Sequence, residues 1–251
     1  MSGTKTSLNV QLQRQWQWMK DYWLWLLKTE ILNDLGPSSA KCTAIDVGCG
    51  PGFVMEQLST LMQTSGIDID REMVDACRVK GLDVKVADAL DLPFEDGSFD
   101  IAYCSFLLLW VRSPKKAIAE MKRVSRHAVV CLAEPDYGAR LDYPDGLSEL
   151  RELIIDGIRS EGGDPLVGRK LRSVFKECGL EAEMGVHPGI WNTSRLREET
   201  EDEWKWIEMT VSRHADKNRL RILRELWVRS VEHGDLFQFN PIFYAYAKKR
   251  A

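Results

Sequence analysis

Residues 44–58 read AIDVGCGPGFVMEQL: a short apolar run contains one aspartate and is followed at once by three glycines at alternate positions. Gly48, Gly50 and Gly52 therefore lie where a strand turns into an amphipathic helix. A backbone without Cβ atoms lets a ligand lie directly on such a turn, and the first turn of a helix offers free N–H groups. The stretch predicts a strand–loop–helix unit that binds a ligand of the nucleotide type.

Strand-like and helical segments continue to alternate after this unit. Apolar runs at 42–47, 65–70, 82–88, 99–106 and 127–135 are separated by amphipathic segments, the clearest at 53–62, 71–80 and 114–125. This alternation indicates parallel strands joined by crossover helices. We therefore predict an α/β fold with a doubly wound sheet.

The composition limits the possible functions. The 251 residues, 44% of them hydrophobic, suit one α/β domain with an elaboration. A net charge of −4 argues against a dedicated nucleic-acid-binding protein, which needs clustered positive charge. The six cysteines include no CxxC pair, so they predict neither a zinc knuckle nor a disulfide framework and fit a reducing compartment. With no signal peptide or membrane-spanning stretch in the sequence, we expect a cytoplasmic protein.

The glycine spacing separates two classes of nucleotide-type site. Dinucleotide sites use G-x-G-x-x-G/A, but the last position is Phe53 here, too large for the close helix–strand packing that the pattern serves. The run DVGCGPG instead resembles the first motif of the class I S-adenosylmethionine-dependent methyltransferases. The resemblance covers about residues 41–134 and is closest to the small-molecule branch that includes ubiquinone/menaquinone-type methyltransferases.

The resemblance implies S-adenosyl-L-methionine as cofactor, S-adenosyl-L-homocysteine as product, and no metal. The glycines would make room for the methionine part of the cofactor. Asp46 would hold its ammonium group, Asp68 its ribose hydroxyls and Asp88 its adenine amino group, while Ile69 packs on the adenine. Taken singly, Asp68 also fits a helix cap and Asp88 a turn. The full set of expected cofactor-binding residues is Asp46, Gly48, Cys49, Gly50, Gly52, Asp68, Ile69, Asp88, Ala89, Cys104 and Ser105.

The family also implies an organisation for the whole chain. We expect a single methyltransferase domain over residues 1–251, with a Rossmann-like seven-stranded sheet, mostly parallel with an antiparallel last strand. A helix at 8–36 would precede the cofactor-binding half at 41–135. The substrate half at 136–251 would carry a helical insertion at about 191–233 that acts as a lid.

Two side chains in the substrate half are candidate proton acceptors. Glu134 ends the fifth strand, and His187 follows the sixth with an unperturbed pKa near neutrality. Each also fits a structural role, as a salt-bridged carboxylate or a packed imidazole. The candidate substrate contacts are Trp23, Tyr137, Arg140 and Trp191.

The first helix carries four tryptophans in two pairs spaced by seven residues. Trp16 and Trp23 share one face, and Trp18 and Trp25 share another roughly 160–200° away. We expect one pair to pack in the core and the other to line the pocket, meet a partner or cover the lid, unless all four are internal. The acidic run at 198–208 is expected to form a solvated helix face.

The function predicted is transfer of a methyl group to a small, partly apolar acceptor. Two alternatives stay open: a methyltransferase acting on RNA or protein, with or without an activator subunit, and a non-catalytic subunit that binds S-adenosylmethionine. The sequence carries no strong nucleic-acid signal. It leaves a protein partner or a homo-oligomer undecided.

Overall fold

A computed structural model describes residues 2–34, 42–188 and 193–249. It contains a seven-stranded sheet in the order β3-β2-β1-β4-β5-β9-β7 and a two-stranded sheet of β6 and β8. The strands are β1 (Thr43–Val47), β2 (Gln63–Asp68), β3 (Asp83–Val86), β4 (Phe99–Ser105), β5 (Ser125–Pro135), β6 (Leu141–Tyr143), β7 (Glu183–Val186), β8 (Phe237–Phe239) and β9 (Ile242–Lys248). Strands β1 to β5 pair in parallel, whereas β9 runs antiparallel to both β5 and β7. The predicted sheet, with its antiparallel last strand, is confirmed.

Eight α-helices connect or flank these strands in the described ranges: α1 (Ser2–Leu26), α2 (Phe53–Leu58), α3 (Arg71–Val79), α4 (Pro114–Val124), α5 (Leu150–Ser160), α6 (Leu171–Glu177), α7 (Thr193–Val211) and α8 (Lys217–His233). A π-helical turn at Leu27–Ile31 extends α1, and short 3-10 helices occupy Tyr137–Ala139, Asp145–Leu147 and Gly168–Lys170. Side-chain caps fix several starts; the Ser113 hydroxyl, for example, accepts from the Lys116 N–H just before Pro114 opens α4. None of the helices in these ranges is both long and apolar enough to cross a bilayer.

Alternate residues of the central strands feed two apolar clusters, one on each face of the sheet. Ile45 and Ala102 pack on the face that α4 and α6 cover, while Ala44 and Ile101 pack under α1 and α2. A third cluster joins α5, α7 and α8. Helices on both faces leave the carboxyl ends of β1, β2 and β4 together at one edge, which is where open α/β sheets bind ligands.

The helical insertion consists of two helices, α7 and α8, because Asp216 caps a new helix by accepting from the Arg219 N–H. Two features differ from the sequence-based expectation. The pairing of β6 with β8 was not predicted, since three-residue strands show too little periodicity. The first helix is already helical at Ser2 instead of beginning at residue 8. Its predicted end at Gly36-Pro37 lies outside the described residues.

Candidate active site

The glycine loop follows β1 with a left-handed backbone at all three glycines, φ being +78° at Gly48, +51° at Gly50 and +83° at Gly52. A Cβ at Gly52 would lie 2.5 Å from a Leu82 methyl, and one at Gly48 would lie 2.7 Å from Leu107. At Gly50 the nearest atom would be a Leu12 methyl 3.8 Å away, an ordinary contact. At Gly48 and Gly52, protein side chains fill the space that a Cβ would need, whereas at Gly50 this space is open to a ligand. That the glycines make room for the methionine part of the cofactor stays a prediction, which the open space at Gly50 supports most directly.

Asp68 ties the end of β2 to this loop. One carboxylate oxygen accepts from the Gly50 N–H at 2.8 Å, and the other accepts from the Asp70 N–H at 2.9 Å. Burial raises the pKa of Asp68, while these backbone hydrogen bonds oppose the rise. Each oxygen keeps a further lone pair for a ligand hydroxyl. Next to it, the Ile69 side chain is 72% exposed, an apolar surface beside an acidic group.

Asp46 is a buried carboxylate beside the Tyr103 hydroxyl, whose lowering effect on the Asp46 pKa is smaller than the raising effect of burial. It lies near the end of β1, 1% exposed, and neither oxygen has a hydrogen-bond partner in the part of the chain that the structure describes. Burial raises its pKa well above the ordinary value. Leaving such a group unpaired is costly. A cationic or donor group of a bound ligand would remove that cost, so the orphaned carboxylate fits the ammonium group of S-adenosylmethionine.

The other predicted cofactor residues take different positions. Asp88 accepts from the Leu90 N–H at 2.8 Å in a tight turn after β3, with Ala89 buried beside it. Cys49 and Cys104 are buried thiols, and Cys104 lies beside Cys131 of β5 in the sheet register. Their side chains pack in the protein interior, so backbone atoms are what they offer to a ligand. Ser105 ends β4 and is partly exposed.

Glu134 holds a loop in place. Its carboxylate is fully buried and accepts backbone N–H groups from Leu107 (2.9 Å), Leu108 (2.6 Å) and Leu109 (3.2 Å). Burial raises its pKa to about 8, against the lowering effect of these amides. The Sγ atoms of Cys104 and Cys131 and a carboxylate oxygen of Glu134 lie within 4.8 Å of one another. The structure therefore corrects the expected acceptor contact: Glu134 positions the loop that follows β4.

A cavity of about 460 Å³ adjoins that loop. It lies between α1, α7 and the segments around β8, and it reaches Phe106, the residue directly after Ser105. Phe106 has φ +51°, an unusual value for a non-glycine residue. The volume falls within the range of small-molecule pockets. Its wall includes Gln15, Trp18, Tyr22, Phe106, Tyr137, Arg140, His187, Glu199, Trp206, Gln238 and Asn240.

His187 lies in this wall with a defined tautomer. Its Nε2 is 2.6 Å from the carbonyl oxygen of Leu132, which can only accept, so Nε2 carries the hydrogen and Nδ1 has the lone pair. The ring packs between Tyr22 and Tyr244, with centroid distances of 5.9 and 5.0 Å. Burial lowers its pKa. A neutral imidazole of this kind can accept a proton or a hydrogen bond.

The predicted substrate contacts separate into three groups. Tyr137 and Arg140 line the cavity, Tyr137 stacked on Trp206 with a centroid distance of 5.8 Å. Trp23 is 2% exposed in the core under α1, which corrects its assignment to the pocket. Trp18 lines the cavity instead. Trp191 lies outside the described residues.

The first strands and helices match a known family. Residues 45–132 match the family model described as a methyltransferase domain. Over these residues the chain carries a methyltransferase domain. The family uses S-adenosylmethionine, so the predicted family and its cofactor are confirmed.

Curated relatives match the chain over part of their length. An uncharacterised 37.1 kDa protein from a transposon of Streptomyces fradiae is 37% identical over 152 residues, 55% of this chain and 43% of the relative. An uncharacterised methyltransferase of Schizosaccharomyces pombe is 25% identical over 183 residues, 65% and 64% of the two chains. A ubiquinone/menaquinone biosynthesis C-methyltransferase of Citrifermentans bemidjiense is 36% identical over 95 residues, 33% and 40%. The chain thus covers less than two thirds of each relative.

A solved structure shows the same fold. It is described as a putative methyltransferase of Bacillus halodurans and superposes with a TM-score of 0.59 at 14% identity, covering 88% of this chain and 97% of that one. The likeness in fold extends beyond the matched residues 45–132, because it covers 88% of this chain.

The sequence missed the contact between α1 and α7, two helices whose side chains line the cavity. Arg14 pairs with Glu199 at 3.2 Å and Glu203 at 3.1 Å, and the Trp18 indole N–H donates to Glu199 at 3.1 Å. Burial raises the pKa of Glu199, but hydrogen bonds from Arg195, Trp18 and Arg14 hold it below the ordinary value. The expectation of a solvated face at 198–208 is wrong for these two glutamates. Their spacing of four residues, which puts them on one helix face, was the available signal.

Proposed function

We propose that this protein transfers a methyl group from S-adenosylmethionine to a small, partly apolar acceptor. The observation that supports this most is the cavity of about 460 Å³ that reaches Phe106. Because Phe106 follows the end of β4 directly, an acceptor in the cavity would lie next to the edge that carries the glycine loop. The related ubiquinone/menaquinone methyltransferase, by its name, also acts in small-molecule biosynthesis.

The cofactor half of the proposal depends on four residues. Asp46 would accept the ammonium group, Gly50 would leave space for the methionine part, and Asp68 would accept the ribose hydroxyls. Ile69, 72% exposed, would pack on the adenine. When bound, S-adenosylmethionine supplies a methyl group on a positively charged sulfur, which an acceptor lone pair attacks.

The remaining residues would orient the acceptor and receive its proton. His187 offers the Nδ1 lone pair, because Leu132 fixes its other ring nitrogen. Glu134 keeps the loop after β4 rigid through three backbone amides and so fixes the wall next to the reacting atoms. Orientation of this kind can supply about 7–11 kcal/mol of a reaction barrier. Tyr137 and Arg140 would contact the acceptor.

The shape of the site favours a small acceptor over a macromolecule. The Arg14 pairs join α1 and α7, whose side chains line the cavity, and acidic and basic residues occur in equal number in its wall. An RNA substrate would need an open, positively charged rim.

The same proposal treats residues 1–251 as one methyltransferase domain. Five of the six free cysteines are buried, which fits the reducing cytoplasm.

Tracing the methyl group tests the proposal. The purified protein is incubated with S-adenosylmethionine labelled in the methyl group and a lysate of the source organism, and small molecules, RNA and protein are then separated. Asp68→Ala is the blank. We expect label in the small-molecule fraction with the wild type only. Label in RNA or protein would overturn the acceptor class. Cofactor binding without any labelling would favour a non-catalytic subunit.

A further inference from the structure

The cavity wall is electrically balanced. The arginines in it are Arg14, Arg140 and Arg195, and the carboxylates are Asp21, Glu199 and Glu203. Each of these arginines has a carboxylate partner within 3.2 Å. Asp21 is exposed to solvent. An anionic ligand would therefore lose its hydration without meeting an unpaired arginine, which is unfavourable. A cationic ligand would meet, among the described carboxylates of the wall, only the solvent-screened Asp21 without a paired arginine.

The pair formed by Arg140 and Asp142 shows how completely the charge is compensated. Both side chains are 1% exposed, and the guanidinium donates through Nε and Nη2 to the carboxylate. A bidentate pair of this type is already satisfied in the geometry that an anionic ligand would need. Arg140 therefore presents a neutral ion pair to the cavity.

The wall also contains polar groups that have no partner. Arg14 Nε, Gln15 Oε1, Trp227 Nε1 and Asn240 Oδ1 are buried without a hydrogen bond to any described residue. Buried polar groups are normally paired, and leaving one unpaired costs about 1–3 kcal/mol. The set includes both donors and acceptors. A ligand that carries hydroxyl or carbonyl groups would satisfy them.

Aromatic rings form the apolar part of the wall. Tyr137 and Trp206 are stacked with their planes 22° apart, and Phe106 and Trp18 lie in the same wall. Flat ring surfaces of this kind favour a ligand that is itself a ring, through offset or edge-to-face packing.

From these three observations we infer that the acceptor is an uncharged ring compound bearing hydroxyl or carbonyl groups, and that carboxylate and ammonium acceptors are rejected. The inference rests on the proposed function, because it describes the acceptor site of the same methyltransferase. It assigns the selection against charge to the paired arginines of the wall.

Three matched probes test it: 2-naphthol, 2-naphthoate and 2-naphthylmethylammonium, which share one ring system and differ in charge. Their binding to the full-length protein is measured by calorimetry with and without saturating S-adenosylhomocysteine. We expect 2-naphthol to bind at least about tenfold more tightly than either charged probe, a difference of ~1.4 kcal/mol. Equal or tighter binding of a charged probe, or no binding of any probe, overturns the inference. Failure of S-adenosylhomocysteine to bind would overturn the proposed function separately.

Variants show whether the cavity is responsible. Glu203→Gln removes one of the two carboxylates paired with Arg14, so it should shift the preference several-fold toward 2-naphthoate. A purely structural role of Glu203 would weaken all three probes alike and would contradict the inference. Trp206→Ala should weaken 2-naphthol and leave S-adenosylhomocysteine binding unchanged. Trp25→Ala, at a tryptophan that is 51% exposed, is the control that should change neither.

Discussion

Replacing Glu134 by glutamine should change how the stability of the protein depends on pH. Burial raises the pKa of this carboxyl from 4.5 to about 8 despite three amide donors. Because the folded-state pKa exceeds the unfolded value, the stabilisation is complete below pH ~4.5 and is lost as the pH rises through about 8. Each pH unit in that window removes ~1.4 kcal/mol.

The expected magnitude follows from these values. Between pH 5.5 and pH 7.5 the wild type should lose about 2.7 kcal/mol of unfolding free energy through this one group. Glu134→Gln does not titrate, and it lacks the acceptor oxygen for the Leu109 N–H, a loss of about 1–3 kcal/mol at any pH. The variant should therefore be less stable than the wild type at pH 5.5, and the difference should shrink or reverse at pH 7.5.

Urea denaturation of both proteins at several pH values provides the measurement, since their difference cancels all other titrating groups. Glu120→Gln is a matched control: hydrogen bonds from Arg123 and the Leu92 N–H outweigh burial and keep the pKa of Glu120 below its ordinary value. Its difference from the wild type should not vary over this range. A constant difference for Glu134→Gln as well would refute the reasoning. It would mean that the three amides keep Glu134 ionised throughout.

Three further predictions concern the cofactor site. Gly50→Ala and Gly81→Ala both place a Cβ in open or loosely filled space at positive φ, so each variant should lose about 1–2 kcal/mol of stability. Only Gly50→Ala should also weaken S-adenosylhomocysteine binding, measured by calorimetry. Equal binding by both variants would contradict the assignment of Gly50 to the cofactor site. Asp46→Asn should make the ligand-free protein more stable at neutral pH, because it removes a buried carboxyl whose pKa is raised, but it should lower the affinity for S-adenosylhomocysteine. Denaturation and calorimetric titration of one preparation measure both quantities. A stable variant with wild-type affinity would exclude an ammonium contact. Ile69→Ser should leave the melting temperature unchanged and reduce the affinity for S-adenosylhomocysteine about fivefold, equivalent to ~1 kcal/mol of apolar contact. The control Val79→Ser, at a side chain that is 89% exposed, should change neither quantity. A similar loss of affinity in both variants would argue against adenine packing on Ile69.

The sequence predicted the cofactor half well because its signals are local. A strand, a glycine loop and a helix occupy consecutive residues, and the acidic residues at or near the ends of β1, β2 and β3 follow from the same order of elements. What the local pattern could not specify was which side chain fills each glycine position. Leu107 lies against Gly48 although 59 residues separate them, and this contact depends on the packing of the loop that Glu134 holds.

The cavity was harder to predict because distant parts of the chain form it. The Arg14–Glu199 hydrogen bond joins residues 185 positions apart. The four-residue spacing of Glu199 and Glu203 puts both on one face of α7, but it does not indicate that this face meets α1. The spacing of the tryptophans did give two faces of α1, but the choice between Trp18 and Trp23 depends on which face meets the sheet. His187 was recognisable as a candidate from residue type alone; its tautomer depends on a carbonyl of β5.

A calorimetric titration of the wild-type protein with S-adenosylhomocysteine and, separately, with NAD tests the central claim most directly. The glycine spacing, the unpaired Asp46 and the exposed Ile69 predict a single saturable site for S-adenosylhomocysteine and no binding of NAD. Binding of NAD without binding of S-adenosylhomocysteine would contradict the assignment of the site.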